Sequence, residues 1–176
     1  VSTKFLKFPG EFGIEIETEC KKEYVAPRFS FWETHNDGSL RDFGVEYVLT
    51  QPLDRGKSLD SALEEFNQKT SEIKFIPDSV TTSVHVHINF LNDTWLTLFN
   101  FCTAYTLTEN LLVRYSGPSR VSNGFCLPIC DSEETFRNIC HFAEIVSTRK
   151  NLSHLQLSSD HNKYSALNLS SLMIRG

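Results

Sequence analysis

Several features that commonly identify a protein class are missing from this sequence of 176 residues. No apolar run approaches the roughly 20 residues that span a bilayer, so no membrane partner is expected. Lys and Arg number 17 against 22 Asp and Glu, which argues against a nucleic-acid binder because such proteins carry excess positive charge. There is no internal repeat, low-complexity tract or clear linker. With an ordinary hydrophobic fraction of 40%, the chain is expected to form a single domain over residues 1–176.

The five cysteines include no Cys-x-x-Cys pair. Their odd number indicates reduced thiols, and this predicts a cytoplasmic location. Cys126, Cys130, Cys140 and His141 do not have the spacing of a common structural zinc site. We therefore expect buried thiols on apolar faces at these positions rather than zinc ligands.

Two short stretches alternate with the period of a β-strand and carry charged or ionisable residues on one face. FGIEIETE, residues 12–19, directs Glu15, Glu17 and Glu19 to the same side, and TTSVHVHIN, residues 81–89, does so with His85 and His87. Like charges at alternate positions, roughly 7 Å apart, repel one another, and a divalent cation would offset that repulsion. Carboxylate and imidazole suit Mg²⁺ or Mn²⁺ when phosphate oxygens complete the coordination shell. A solvated polar face explains the same pattern, so periodicity alone leaves both interpretations open.

The remaining periodicity predicts an α+β fold with a largely antiparallel sheet and helices on one face. Besides the two stretches above, strands are predicted over residues 29–34, 45–49 and 163–169. Helices are predicted over residues 58–73, 93–115 and 132–148. Ser58, Asp93 and Asp131 are the expected residues at the helix starts. Residues 36–39, Asn-Asp-Gly-Ser, predict a turn between the strands at 29–34 and 45–49.

Five segments, in this order, resemble the amidoligase family, the carboxylate–amine ligases related to glutamine synthetase and glutamate–cysteine ligase. They span residues 12–169 and read FGIEIETE, FWETHNDGSLRDFGVEYVLTQPL, TTSVHVHIN, PSRVSNGFCLP and KYSALNL. No single segment is specific, but the ordered set covers nearly the whole chain. The resemblance implies a glutamine-synthetase-like antiparallel sheet curved into a half-barrel, with helices on the convex face and an active site on the concave face.

The resemblance also implies a set of metal ligands. Glu15 and Glu17 would hold separate divalent ions. Glu46 would join Glu17 at one ion, and His85 would join Glu15 at the other.

Contacts to phosphate and substrate are implied in the same way. His87 would approach the nucleotide phosphates. Arg120 and Asn123 would lie near phosphate or a substrate carboxylate, since Arg binds such groups bidentately. Lys163 is a further candidate for phosphate contact. Glu17 and Arg120 would be the residues most directly involved in catalysis.

Other polar and aromatic positions are expected to have ordinary structural roles. We expect Glu19 to be solvent-exposed and Asp37 to be a turn residue. Trp32 and Tyr164 are expected to pack against the core, and Arg114 is the usual cation at a helix C-terminus.

The implied activity is ATP-dependent amide-bond formation through an acyl phosphate, with ATP and Mg²⁺ (or Mn²⁺) as cofactors. The substrates would be a carboxylate and an amine, the latter a small molecule, a peptide or a protein side chain. The sequence leaves open whether the chain forms a homo-oligomer. No side-chain nucleophile is needed, which agrees with the absence of a Gly-x-Ser-x-Gly or Cys/His signature.

The C-terminal sequence, NLSSLMIRG, departs from the family pattern, which continues into a strand with Glu-Phe-Arg. Either Met173-Ile174-Arg175 replaces that motif, which would remove a metal ligand, or the strand lies beyond Gly176. We favour the second alignment, so the predicted domain lacks its final strand. A non-catalytic structural or assembly protein that retains the fold is therefore the alternative function. A metal-dependent hydrolase or phosphotransferase using the same face is a third.

Overall fold

The computed structural model describes six stretches of the chain, residues 10–77, 79–89, 94–121, 123–124, 126–148 and 164–169. The chain divides into two compact units, residues 1–92 and 93–176. Within these stretches, the first unit contains an antiparallel sheet and one helix, and the second contains two helices and short 3₁₀ turns. The predicted α+β class is confirmed, and the sheet is antiparallel and curled as a half-barrel. The predicted final strand would lie outside the described residues.

The first unit is organised around its first strand. Its elements are β1 (Glu11–Thr18), β2 (Trp32–His35), β3 (Val45–Leu49), β4 (Leu53–Asp54), α1 (Lys57–Thr70) and β5 (Val84–Asn89). β1 pairs antiparallel with β5 along one edge and with both β3 and β4 along the other, and β2 pairs antiparallel with β3. The predicted turn at residues 36–39 therefore begins the connection between two paired strands.

An irregularity separates β3 from β4 along the shared edge of β1. Glu15 pairs with Val48, and Phe12 pairs with Leu53. The four residues 49–52 between these partners therefore lie opposite only two residues of β1, 13 and 14. Two extra residues in one strand form a β-bulge, which bends the strand and increases its twist. Pro52 lies in this bulge, where the missing N–H costs no ladder hydrogen bond.

The apolar face of the sheet packs against α1. Six buried residues form the cluster at this contact: Ile14, Trp32, Tyr47, Leu49, Leu53 and Ala62. The Trp32 indole Nε1 donates a hydrogen bond of 2.9 Å to the Ala62 carbonyl, which ties β2 to the helix. The Phe66 ring lies 5.3 Å from the Trp32 ring and 5.1 Å from the Tyr47 ring, at angles that favour aromatic contact. The prediction that Trp32 is a packing residue is confirmed.

Glu65 of α1 fixes the chain just before β2. Its two carboxylate oxygens accept hydrogen bonds from the backbone N–H groups of Ser30, at 2.8 Å, and Phe31, at 3.1 Å. The Lys69 ammonium lies 2.9 Å from the same carboxylate. Burial alone would raise the pKa of Glu65, but these donors outweigh it and lower the pKa to about 2.

This lowered pKa predicts a pH-dependent contribution to stability. Glu65 stabilises the fold above its unfolded pKa, and the contribution is lost as pH falls toward the folded value. From pH 6 to pH 3 the loss is on the order of 2 kcal/mol. In Glu65→Gln, the free energy of unfolding should therefore fall less over this interval than in the wild type. Denaturant titrations at both pH values measure the difference, and Glu64→Gln on the exposed side of α1 should behave as the wild type.

The second unit is built on two helices, α2 (Trp95–Tyr115) and α3 (Glu133–Thr148). Six buried residues form its apolar cluster: Leu98, Cys102, Ile129, Phe142, Leu167 and Leu169. Glu109, itself buried, accepts the Ile129 backbone N–H with both carboxylate oxygens, at 2.9 and 3.1 Å, and so fixes the start of a 3₁₀ turn at Ile129–Asp131. None of the described helices is both long and apolar enough to cross a bilayer.

The helix starts differ from the predicted ones. α1 begins after Gly56, and Ser58 lies inside it. The cap of α2 is Thr94, whose hydroxyl accepts the Thr97 N–H at 3.3 Å, while Asp93 lies outside the described residues. Asp131 belongs to the 3₁₀ turn, and the helix that follows it starts at Glu133. For α1 and α2, a glycine or a small polar residue one or two positions from the predicted one takes the terminal position.

The predicted strand over residues 163–169 is not found in its described part. Residues 164–169 contain only an isolated parallel bridge between Ser165 and Leu127. The alternation in this segment places Leu167 and Leu169 in the core of the second unit without a ladder.

Candidate functional site

The polar face of the sheet is formed by alternate residues of four strands. On β1, Gly13, Glu15 and Glu17 point to this face, because Ile14 and Thr18 between and beyond them are buried on the other side. Register then decides which neighbours share the face, since paired residues in a sheet point the same way. The pairs that carry polar groups are Glu15 with His85, Gly13 with His87, Glu17 with Glu46, and Glu46 with His35.

His85 lies at the centre of a network of short contacts. Its Nδ1 is 3.2 Å from Glu15 Oε2, and its Nε2 is 2.6 Å from the Ser83 hydroxyl. The Ser83 hydroxyl also donates to Glu17 Oε2, and His85 Nε2 lies 4.0 Å from that oxygen. The Glu17 backbone N–H donates to the Ser83 carbonyl at 2.9 Å, which extends the β1–β5 ladder and fixes Ser83 on this face. β1 and β5 are thus joined by side-chain contacts as well as by backbone hydrogen bonds.

His87 completes the imidazole side of the face. Its Nε2 lies 3.1 Å from Glu15 Oε1, so both oxygens of Glu15 contact a histidine. Gly13 lies opposite this residue, and a Cβ at position 13 would meet the His87 side chain at ordinary van der Waals distances of 3.4 to 3.9 Å, so the ring leaves room for a small side chain there.

A cluster of three carboxylates lies next to this network. Glu17, Asp37 and Glu46 each offer a carboxylate oxygen that lies within 4.8 Å of the other two. Among the described residues, no other group of three or more acidic, histidine or cysteine side chains comes together at such short distances. Glu17 and Glu46 are opposite each other across β1 and β3, and Asp37 comes from the loop after β2. Asp37 also accepts the Ser39 backbone N–H at 2.8 Å, as a turn residue does. The prediction for Asp37 was therefore incomplete, because one oxygen serves the turn while the side chain joins the cluster.

The electrostatics of Glu46 show how crowded this cluster is. Burial raises the pKa of Glu46, and the charges of Glu15, Asp37 and Glu17 raise it further, while His35 acts in the opposite direction. Each added negative charge disfavours ionisation of the next. A bound cation would reverse that effect.

Glu46→Gln should therefore stabilise the metal-free protein at neutral pH. The substitution removes one of the crowded charges, and we expect the melting temperature to rise by about 2–4 °C. Because the folded pKa is raised, the penalty exists at neutral pH and disappears as pH falls through that pKa, so the gain should vanish in acid. Thermal denaturation in a chelator-containing buffer checks this. Glu33→Gln, on the same face but with a side chain 65% exposed, should leave the melting temperature unchanged.

The donor sets fit a hard divalent cation. The cluster is all oxygen, the ligand type that Mg²⁺ prefers. Two adjacent ligands around an octahedral Mg²⁺, each at about 2.1 Å, lie about 3 Å apart. His85 Nδ1 and Glu15 Oε2 are hydrogen-bonded at 3.2 Å, so both atoms already lie at a separation that a shared cation could use. Glu17 belongs to the carboxylate cluster and contacts the imidazole network through Ser83, so the two donor sets are adjacent.

Glu19 does not join this face, and the prediction that it is exposed was wrong. It is 2% exposed and lies just beyond the end of β1. Its carboxylate accepts the Arg41 backbone N–H at 2.6 Å, the Ser79 hydroxyl at 2.6 Å and the Thr81 hydroxyl at 2.5 Å. Burial raises the pKa of Glu19, but these donors outweigh it and the pKa is lowered. Glu19 therefore anchors the loop that carries Asp37 and the segment that leads into β5.

The predicted phosphate contacts other than His87 lie outside the first unit. Arg120 ends a 3₁₀ turn at Pro118–Arg120, and the Asn123 backbone N–H donates to the Arg120 carbonyl at 3.3 Å. Asn123 is buried, and Arg120 is half-buried. Lys163 lies outside the described residues. The roles of these three residues stay predictions.

The cysteines form no site in the described part of the chain. Cys20 and Cys102 are buried, as expected of apolar thiols, and burial raises the pKa of both. Cys130 and Cys140 are exposed, which corrects the expectation that these thiols are buried. Arg114 lies in the last turn of α2, as predicted, and Tyr164 is 44% exposed, which is more than a packing role predicts.

The face was only partly visible in the sequence. Ser83 and His35 obey the same alternation as their neighbours, so strand register would have identified them. Asp37 had no such signal because it reaches the cluster from a loop.

Comparison of the chain with models of known protein families, with curated proteins and with solved structures finds no match.

Proposed function

We propose that this protein is an ATP- and Mg²⁺-dependent ligase that joins a carboxylate to an amine, as amidoligases do. The observation that carries the proposal is the polar sheet face, on which Glu17, Asp37 and Glu46 lie next to the Glu15–His85 pair. The family resemblance of the sequence motifs supplies the reaction, and the antiparallel half-barrel is compatible with a glutamine-synthetase-like fold.

The chemistry explains why such a face is useful. A carboxylate does not condense with an amine in water, because its oxygen is a poor leaving group. Transfer of the γ-phosphoryl group of ATP to the carboxylate gives an acyl phosphate, which the amine attacks with release of phosphate. Bringing the two anions to about 4 Å in a partly screened site costs about 4 kcal/mol, or about three decades of rate. Divalent ions, when bound, would neutralise this charge on the phosphate oxygens.

The residues of the first unit have distinct tasks in this proposal. Glu17, Glu46 and Asp37 would hold one ion, and Glu15 with His85 would hold the other. The Ser83 hydroxyl, bonded to both Glu17 and His85, orients these two side chains toward the same space. Such outer contacts fix the direction of a ligand. His87, 56% exposed at its side chain, is accessible to an incoming phosphate.

Arg120, Asn123 and Lys163 would contact phosphate or the substrate carboxylate, as the resemblance implies. A cytoplasmic location is part of the same proposal, because ATP and reduced thiols are both available there.

The test is a product analysis with the purified chain, Mg²⁺ and ATP. Pools of carboxylates and amines are added separately and together, and ADP, phosphate and new amides are measured by mass spectrometry. A ligase releases ADP with an amide only when both pools are present. ADP and phosphate without an amide would instead identify a hydrolase, and ADP with a phosphorylated acceptor would identify a phosphotransferase. Absence of turnover with every pair, together with no binding of Mg-ATP, would favour the non-catalytic alternative, and each of these results would refute the proposal.

A further inference from the structure

One buried carboxylate contacts both of the segments that flank the candidate cation site. Glu19 Oε1 accepts the Arg41 backbone N–H at 2.6 Å and the Thr81 hydroxyl at 2.5 Å, and Glu19 Oε2 accepts the Ser79 hydroxyl at 2.6 Å. The Ser79 and Thr81 hydroxyls lie 3.0 Å apart. Because Glu19 is 2% exposed, water hardly competes for these hydrogen bonds. A single side chain therefore joins two segments that are distant in sequence.

The segment on one side is the loop of residues 36–44, between β2 and β3. Asp37 lies near the start of this loop, and Glu46 follows two residues after its end. Two features restrict the path of the loop. Asp42 has a φ of 51°, in the left-handed region, and a Cβ at Gly44 would clash with the Leu40 side chain. The buried carboxylate holds this tightly folded loop against the end of β1.

The segment on the other side leads directly into β5. Ser79 and Thr81 come shortly before Ser83, whose hydroxyl contacts both Glu17 and His85. The chain advances roughly 3.3 Å per residue in an extended segment, so Ser83 lies within two residues of the held hydroxyl. A shift of this segment would therefore move the hydroxyl that orients two candidate ligands.

We propose that Glu19 is a positioning residue of the cation site. Its carboxylate sets the separation between the loop that supplies Asp37 and the segment that supplies Ser83 and His85. Glu19 is not itself a ligand, because it lies beyond the end of β1 and its two oxygens already accept three donors. A functional site needs its groups held to within about 0.5 Å, which makes such a support consequential. The positioning role rests on the proposed divalent-ion site.

The direct test is Glu19→Gln. Glutamine keeps the shape of the side chain but replaces one acceptor oxygen with an NH₂ group, so at least one of the three donors loses its acceptor. The metal-free protein is titrated with Mn²⁺ by calorimetry, at a temperature where circular dichroism shows every variant folded. We expect the dissociation constant to rise about tenfold, as for the loss of a group that supports a metal ligand.

The matched control is Glu65→Gln. Glu65 also accepts two backbone N–H groups, those of Ser30 and Phe31, but these precede β2 and contact neither segment held by Glu19. This variant should lose stability and still bind Mn²⁺ with wild-type affinity. The comparison separates a positioning role from general destabilisation.

Thr81→Val tests one side of the contact alone. Valine removes the hydroxyl that Glu19 accepts and leaves the contacts to the loop in place. We expect about fivefold weaker Mn²⁺ binding, the equivalent of one hydrogen bond. Pulsed electron paramagnetic resonance of bound Mn²⁺ reports the coordinating imidazole nitrogen. This nitrogen signal should weaken in Thr81→Val and Glu19→Gln and persist in Glu65→Gln.

The outcomes distinguish the positioning role from the cation site. If the wild type binds Mn²⁺ and the Glu19 and Thr81 variants match it in affinity and nitrogen signal, the positioning role is overturned and the site is retained. Equal weakening in Glu65→Gln would also overturn it, since the effect would then be loss of stability. If the wild type shows no saturable binding, the cation site fails and the positioning role fails with it.

Discussion

Replacing Glu17 with glutamine should lower ATP turnover by about a thousandfold, the upper end of the loss seen when one transition-state contact is removed. Glu17 is the only residue that belongs to the described carboxylate cluster and also contacts the imidazole network through Ser83. Its side chain is 11% exposed, so solvent screens its charge poorly. Glutamine keeps the shape and can still contact Ser83, but it removes the charge that would hold a cation.

The matched control is Glu33→Gln, which removes a carboxylate from the same polar face. Glu33 contacts His35 at 3.6 Å and is not part of the carboxylate cluster. Steady-state turnover and circular dichroism should show an inactive, folded Glu17→Gln and an active Glu33→Gln. If both variants kept wild-type turnover, Glu17 would have no catalytic role.

Replacing Glu19 with leucine should destabilise the protein by about 3–5 kcal/mol. The substitution leaves the Arg41 N–H and the hydroxyls of Ser79 and Thr81 without their charged acceptor in a buried place. Unsatisfied buried donors cost more than an ordinary hydrogen bond contributes, which is why the effect is large. A loss of this size lowers the melting temperature by about 10 °C in a chain of this length.

Glu23→Leu is the control, since Glu23 lies on an exposed stretch shortly after Glu19. The difference should also depend on pH. The lowered pKa of Glu19 means that its contribution is present above the unfolded value and is lost as pH falls through the folded one. Thermal denaturation at neutral and acid pH measures both effects. A melting temperature that matches the wild type at neutral pH would contradict the anchoring role.

The sheet and its polar face were largely predictable because alternation is a local signal. Ile14 and Ile16, on either side of Glu15, fix which side of β1 meets the core, and the same holds for Tyr47 beside Glu46. Once the strands pair in antiparallel register, the carboxylates and imidazoles must share a face. The juxtaposition of Glu15 with His85 and of Glu17 with Glu46 follows from that.

The positions of Glu19 and Asp37 could not be predicted from the sequence, because they depend on where β1 ends and on the path of a loop. Glu19 continues the alternation of Glu15 and Glu17, yet β1 ends at Thr18 and the next side chain turns into a buried pocket of donors. Asp37 lies in a turn motif whose local role is clear, and only the tertiary path of the loop brings it to Glu46. The observed helix starts differ from the predicted ones by a residue or two, because several neighbouring residues can occupy the first position of a helix.

Calorimetric titration of the metal-free protein with Mn²⁺ decides whether the polar face formed by β1, β3, β5 and the loop after β2 binds a divalent cation. We expect saturable binding in the wild type and in Glu33→Gln. The dissociation constant should rise by about 10–100-fold in Glu17→Gln and Glu46→Gln, at least the cost of losing a residue that merely supports a ligand. Absence of saturable binding, or equal affinity in all four proteins, would contradict this expectation.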